Sequence, residues 1–276
     1  MGSYPAPAKL NLFLHVVGRR PDGYHLLQTV FRFIDYGDVV HLALREDGRI
    51  VRCHDLPGVT EDQDLTIRAA RLLQAASGTE RGVEIRLEKR LPLGGGLGGG
   101  SSDAATVLLA LNRLWGLDWP RRKLEQLALS LGADVPAFIF GQSAFAEGVG
   151  EKLSPLALPP AWYVVLTPGV RIATAAVFAA AELTRNTPPI TIADFSAGLG
   201  RNDLEPIVRS RSPVVARCLD WLSAQGDARM TGSGACVFVG VPDRAAAQRI
   251  LDSLPADMQG FIAAGLDRHP LYDLAA

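Results

Sequence analysis

Between Gly94 and Gly100, six of seven residues are glycine, and the run Pro92-Leu93-Gly94-Gly95-Gly96-Leu97-Gly98-Gly99-Gly100 leads straight into Ser101-Ser102-Asp103. Glycine loses more backbone freedom on folding than any other residue, so such a run needs a use that only glycine allows. Upstream, Val83, Ile85 and Leu87 alternate with Glu84, Arg86 and Glu88, a strand with one wet face. Downstream, Val107, Leu108, Leu111, Leu114 and Trp115 mark the apolar face of a helix that Gly116 ends. Linkers are rarely wedged between a strand and an amphipathic helix. A glycine loop at a helix N-terminus instead turns free N–H groups toward an anion, with the helix dipole behind them. The run predicts a phosphate site, and Ser101 and Ser102 add hydroxyls for phosphate or a magnesium shell. A Cβ at Gly98 or Gly99 is expected to block the phosphate while sparing the fold.

The known phosphate loops narrow the choice. A Walker A loop needs Lys-Ser/Thr after its last glycine, and here Ser101-Ser102 follows without lysine. Gly94, Gly96 and Gly99 match dinucleotide-loop spacing. However, the preceding strand is wet on one face, whereas a Rossmann first strand is buried on both. Asp118 stands about 20 residues on but follows a helix end rather than a strand.

Composition excludes several classes. The 276 residues suggest about two domains at roughly 100–200 residues each. Lys and Arg number 28 against 29 Asp and Glu, so the basic excess of a nucleic-acid binder is missing. No apolar run approaches membrane-spanning length, and no secretory signal layout opens the chain. Cys53, Cys218 and Cys236 have no CxxC spacing, which fits three buried thiols in a reducing cytoplasm. The five histidines form no HxxxH pair, so no zinc site is expected.

Strands are expected at residues 8–17, 39–44, 83–87, 138–140, 144–146, 162–166, 229–230, 236–239 and 261–265. Helices are expected at 65–76, 121–131, 174–183, 203–224 and 245–254, beside the one after the glycine run. Ser154 to Pro160 is proline-rich and marks the boundary between two α+β domains, residues 1–155 and 156–276, with a cleft between them.

Further motifs flank the run: Ala8-Lys9-Leu10-Asn11-Leu12, Arg20 to His25 with Asp22-Gly23-Tyr24-His25, Gly132-Ala133-Asp134-Val135-Pro136, Phe145 to Gly150, and Thr231-Gly232-Ser233-Gly234-Ala235-Cys236. With Gly94 to Ala105, they make nearly the whole chain resemble the GHMP kinase superfamily of small-molecule kinases. The Lys-Leu-Asn and Asp-Gly-Tyr-His segments resemble those members that phosphorylate the 2-hydroxyl of a cytidine diphosphate-linked methylerythritol in non-mevalonate isoprenoid synthesis. That resemblance implies a two-domain fold, with a first half like ribosomal protein S5 domain 2 and a ferredoxin-like second half. It also implies ATP as co-substrate, Mg2+ with the ATP, a cytoplasmic enzyme, and a monomer or weak homodimer. A homoserine or mevalonate kinase, and a nucleotide-binding module without catalysis, are the alternatives.

Through the resemblance, Asp134 is the catalytic carboxylate that takes the substrate proton, and Lys9 is its partner, neutralising charge on the transferred group. By residue type alone, Asp134 reads as a turn or cap residue and Lys9 as a solvated strand lysine. Asp64, Lys89 and Pro92 through Ser102 are the expected ATP contacts. The substrate contacts are Asn11, Tyr24, His25, Thr174, Phe178, Gly232 and Ser233. A lone His or Phe is more often core than ligand. Two positions depart from the family pattern. Ala179 stands where a lysine often follows Phe178, and Asp64-Leu65-Thr66 stands where Asn-Leu-Ile is usual. Asp64 either faces adenine or caps the helix that begins at Leu65, where Asn and Asp serve almost equally.

Overall fold

The computed structural model describes residues 1–275. A long antiparallel pair opens the chain, β1 (Gly2–Arg19) and β2 (His25–Arg45). The short β3 (Ile50–Arg52), helix α1 (Leu65–Ser77) and β4 (Gly82–Glu88) follow. Asp64 caps α1 by accepting from Thr66 N, and Gly78, at φ 68°, ends it. The glycine run then enters α2 (Gly99–Leu114). Every residue from Ser102 to Asn112 is buried, so α2 is enclosed on all sides and forms the axis of the first core.

Helices α3 (Arg121–Ala128) and α4 (Val135–Phe140) lead to strands β5 (Ala144–Gly148) and β6 (Lys152–Pro155). The second half holds β7 (Trp162–Leu166), α5 (Thr174–Phe178), α6 (Ile192–Ser196), α7 (Glu205–Arg211), α8 (Pro213–Ser223), β8 (Ala228–Met230), β9 (Val237–Val241), α9 (Arg244–Asp252) and β10 (Gly260–Leu266).

Three local expectations change. Residues 138–140 are helical rather than extended, because Pro136 starts a turn of helix and Gly141, at φ 73°, stops it. Three apolar residues in a row do not distinguish a strand from a buried helix. The helix expected over 174–183 ends at Phe178, and the Arg185 guanidinium takes the carbonyls of Phe178, Ala180 and Leu183. The helix expected over 203–224 splits at Ser212, whose extended backbone (φ −129°, ψ 96°) is what a residue before proline prefers.

One path of strands, β3-β4-β2-β10-β7-β9-β8, runs through both halves. Strand β10 joins them, pairing with β2 at Gly265–Ile34 and with β7 along its length. An apolar cluster seals the junction, with Leu10, Ile34, Leu91 and Leu97 from one side meeting Tyr163, Val165 and Phe238 from the other. Buried Arg32 reaches across to the Pro159 carbonyl at 2.6 Å. Among the described residues, no helix is long and apolar enough to cross a membrane. All three cysteines are free; Cys218 and Cys236 are buried, while Cys53 is exposed, contrary to expectation.

Candidate active site

Gly94, Gly96 and Gly98 sit at φ 71°, 77° and 73°, a left-handed conformation that glycine adopts without penalty. Gly98 is the N-cap of α2 and offers no side chain, so the first-turn N–H groups are left for another acceptor. A third glycine motif, Thr231 to Cys236, beyond the run and Gly132-Ala133-Asp134, packs against the run. Thr231 Oγ1 donates to Gly96 O at 3.2 Å, and Cys236 N donates to Gly95 O at 3.0 Å. A Cβ on Gly96 would drive into the Thr231 carbonyl. Leu97 is buried in the junction cluster and rivets the loop, its carbonyl accepting from Lys9 N at 3.0 Å.

Lys9 projects from β1 and is only 4% exposed. Its Nζ bonds Asn11 Oδ1, lies 3.5 Å from Asp134 Oδ2 and stands 5.4 Å over the Phe31 ring. Lys9 is therefore a buried cation rather than a solvated one. Asp134 immediately precedes α4, yet its side chain makes no capping bond and remains 41% exposed. Its carboxylate is left facing Lys9. Asn11 has both ends of its amide engaged, by Lys9 and by Thr29 Oγ1 at 2.9 Å. It thus holds Lys9 in place instead of presenting a free group to a substrate.

Lys9, Asp134, Gly94, Gly96, Gly98 and Ser101 surround a cavity of about 350 Å³ whose far wall is Thr174 with Gly232 to Gly234. The Thr174 and Ser233 hydroxyls are 2.7 Å apart. A second cavity of about 520 Å³ adjoins it, lined by Arg19, Asp22, Tyr24 and His25. Leu27, Ala133, Val149 and Phe178 line both, so the two share a wall. The His25 and Phe178 rings are 5.0 Å apart at 30°, while Tyr24 is 65% exposed at the rim.

Several expected contacts lie elsewhere. Asp64 is 2% exposed, and both its oxygens are engaged: Oδ1 by Thr66 N and Oγ1, and Oδ2 by His54 Nε2 and Arg52 Nε. Burial pushes its carboxyl up, but the bonds from His54 and Thr66 outweigh this and hold it below the usual range. No oxygen remains for adenine, so the cap is its role. Lys89 lies between buried Asp38 and Asp103, at 2.5 and 2.7 Å, and is a half-buried ion-pair centre beneath the loop rather than a free nucleotide contact. Ser102 is wholly buried and donates to Pro7 O, which removes it from the phosphate surface. Pro92, Leu93 and Gly95 face a separate cavity of about 200 Å³ behind the run. A Cβ on Gly98 would lie 2.8 Å from the Phe138 ring, and one on Gly99 3.0 Å from Lys89 Nζ. Gly98, at positive φ against that ring, is required by packing too, so a side chain there would not spare the fold, whereas at Gly99 the nearest atom is the flexible tip of a lysine. Gly100 is exposed at the start of α2.

Three positioning residues escaped sequence reasoning. Asn202 Nδ2 donates to Met230 O and Gly232 O, at 2.7 and 2.8 Å, and sets the third glycine motif. Glu205 accepts from Met230 N, and Arg185 braces His25 and Phe178. Each acts across a long sequence separation, and only their polar type hinted at a role. Among the described residues, no three His, Cys, Asp or Glu side chains cluster as a metal site. The Asp134 carboxylate and the Ser101 hydroxyl do line the main cavity. That sparse oxygen set fits a magnesium ion carried in largely by a nucleotide's phosphates.

The model of the GHMP kinases N terminal domain matches residues 64–142, and that of the GHMP kinases C terminal matches residues 180–260. A Thiobacillus denitrificans protein named 4-diphosphocytidyl-2-C-methyl-D-erythritol kinase is 69% identical over 271 residues, covering 98% of each chain. The crystal structure of a 4-(cytidine 5'-diphospho)-2C-methyl-D-erythritol kinase superposes with TM-score 0.83 at 36% identity, covering 96% of this chain and 99% of that one. A mevalonate kinase structure shares the fold at TM-score 0.71 but only 14% identity, covering 97% and 100%. The chain belongs to the GHMP kinase family and is a kinase.

Proposed function

We propose that this kinase transfers the γ-phosphoryl group of ATP to the 2-hydroxyl of 4-diphosphocytidyl-2-C-methyl-D-erythritol, giving the 2-phosphate and ADP in isoprenoid synthesis. The observation that carries this is the adjacency of the two cavities, with glycine-run backbone and the Lys9–Asp134 pair in one and His25, Phe178 and Tyr24 in the other. A substrate with a base at one end and a hydroxyl at the other fits that layout. Residues 1–155 supply the nucleotide loop, and residues 156–276 close the cleft with Thr174, Phe178 and the third glycine motif.

Free N–H groups of the run and of the first turn of α2 receive the triphosphate. Asp134 orients the hydroxyl and takes its proton as the new oxygen–phosphorus bond forms and the β–γ bridge bond breaks, releasing ADP. A positioned base contributes about 10²–10⁴ in rate. Phosphoryl transfer is loose, so positioning and charge neutralisation do most of the rest. Lys9, desolvated and held by Asn11, neutralises the transferred group. A magnesium ion bound with the nucleotide would shield charge on the phosphates, with Ser101 as the protein oxygen that would help to hold it.

Coupled measurement of ADP release with and without the cytidylated alcohol tests the reading. Turnover only with that alcohol, and competition by CMP, are expected. Turnover with homoserine or mevalonate and no effect of CMP would assign a different alcohol. ATP binding without turnover on any alcohol would leave a nucleotide-binding module.

A further inference from the structure

Arg185 follows the short helix α5, and its guanidinium is engaged on every side. Nη2 donates to the carbonyls of Phe178 and Ala180 at 3.0 and 2.7 Å, and Nη1 to that of Leu183 at 3.1 Å. Nε lies 3.2 Å from His25 Nε2. A guanidinium only donates, and in proteins it does not lose its proton. His25 Nε2 must therefore accept, which makes the imidazole neutral and leaves its proton on Nδ1. Among the described residues nothing bonds Nδ1, and His25 lines the 520 Å³ cavity with Phe178.

We propose that Arg185 is a positioning residue for base recognition. It fixes His25 as an Nδ1–H donor and so selects a pyrimidine whose ring N3 accepts, as in cytosine, against one whose N3 carries hydrogen, as in uracil. The inference rests on the cytidylated substrate proposed above. Uracil would bring a donor against a donor, leaving both unpaired, at a loss of roughly 10–100-fold in affinity. The surroundings keep the imidazole neutral. Burial lowers the pKa of His25 below its usual 6.5, and the charges of Arg185 and Arg19 lower it further. Asp22, the acidic residue lining this cavity, pairs with Arg20 at 2.6 Å and accepts from Tyr24 N.

Calorimetric binding of CMP and UMP at pH 6, 7 and 8 to the full chain and to Arg185→Met tests the assignment. The wild type is expected to prefer CMP by the same factor at all three pH values. In Arg185→Met the neutral imidazole is free to move its proton to Nε2 and offer Nδ1 as an acceptor to uracil. Preference for CMP then falls about tenfold at pH 8. It recovers at pH 6, because loss of the neighbouring cation raises the histidine pKa and the imidazolium again carries Nδ1–H. Equal weakening of both nucleotides at every pH would mean that Arg185 only braces residues 178–183, and would overturn the proposal. Nitrogen-15 spectra of the unliganded wild type give a second decision: protonation at Nδ1 supports it and protonation at Nε2 defeats it. If neither CMP nor UMP binds the wild type, the cytidylated substrate itself is wrong, while the spectra still decide the tautomer.

Discussion

At the proposed phosphate end of the cleft, beside the Lys9–Asp134 pair, the surface is backbone, formed by glycines at positive φ, the first turn of α2, and the Thr231–Cys236 glycine motif locked against the run by Thr231 and Cys236. At the base end it is side chains, with Tyr24 on the rim, His25 and Phe178 beneath, and Arg185 bracing the last two. Backbone donors suit a phosphate, which needs many N–H groups and no particular shape beyond its charge. A base edge differs from other bases by one donor or acceptor, and only side chains offer that choice. A substitution in the glycine surface therefore acts through the fold, whereas one at exposed Tyr24 acts on affinity alone.

Gly96→Val is the most severe way to test that contrast. It places a branched side chain at φ 77° against the Thr231 carbonyl, and we expect a loss of roughly 3–5 kcal/mol of stability together with nucleotide binding. Thermal melting and ATP titration measure both, and near-normal melting would show that the two glycine motifs separate freely. Asp134→Asn comes next. It keeps shape but removes the proton acceptor, so kcat should fall about 100-fold or more with the KM for ATP nearly unchanged. Turnover close to wild type would remove Asp134 from the chemistry. At the other end, Tyr24→Ala should raise the KM for the cytidylated substrate about fivefold, the loss of roughly 1 kcal/mol of stacking, with melting unaltered. A drop in melting temperature there would erase the distinction between the two ends.

Asp64→Asn should change activity least. Its carboxylate serves the cap and a buried pair with Arg52 and His54, so KM values for ATP and GTP should stay within twofold while stability falls by about 2 kcal/mol or more. A rise in ATP preference over GTP would instead make it a base contact.

The phosphate end was legible in the sequence because its chemistry is written as glycine. Six glycines between a strand and a helix have few physical uses, and Lys9 and Asp134 were reachable through motifs beside them. At the base end, residues 24–25 and 178 read as ordinary core or surface without the family resemblance, because aromatic residues and histidines occur everywhere in cores. Arg185 and Asn202 left no pattern at all, since each acts on backbone carbonyls brought close by folding. The same limit explains the short helix after Thr174. Local periodicity favoured continuation to Leu183, and a side chain from further along the chain took the Phe178 carbonyl, which continuation required, together with those of Ala180 and Leu183. Where the signal was a local rule, as with the strand at 83–87 or the Asp64 cap, sequence and structure agree closely. Pro213 was such a rule as well, and the apolar pattern around it masked the break.

Strand β10 lies between β2 and β7 in the sheet, yet follows both in the chain, as well as β9. During synthesis the two strands it bridges leave the ribosome first and wait with open edges. The first half can gather its own core around α2, but its seam to the second half cannot close until residues 260–266 emerge. Such late, long-range pairing folds slowly and leaves sheet edges exposed in the meantime. A stop codon or ribosomal stall before Gly260 would therefore release a chain that has every glycine of the phosphate loop and most of the cleft's residues. Its two halves would have no shared strand to hold them in register, making it a target for chaperones and proteases rather than a weaker enzyme.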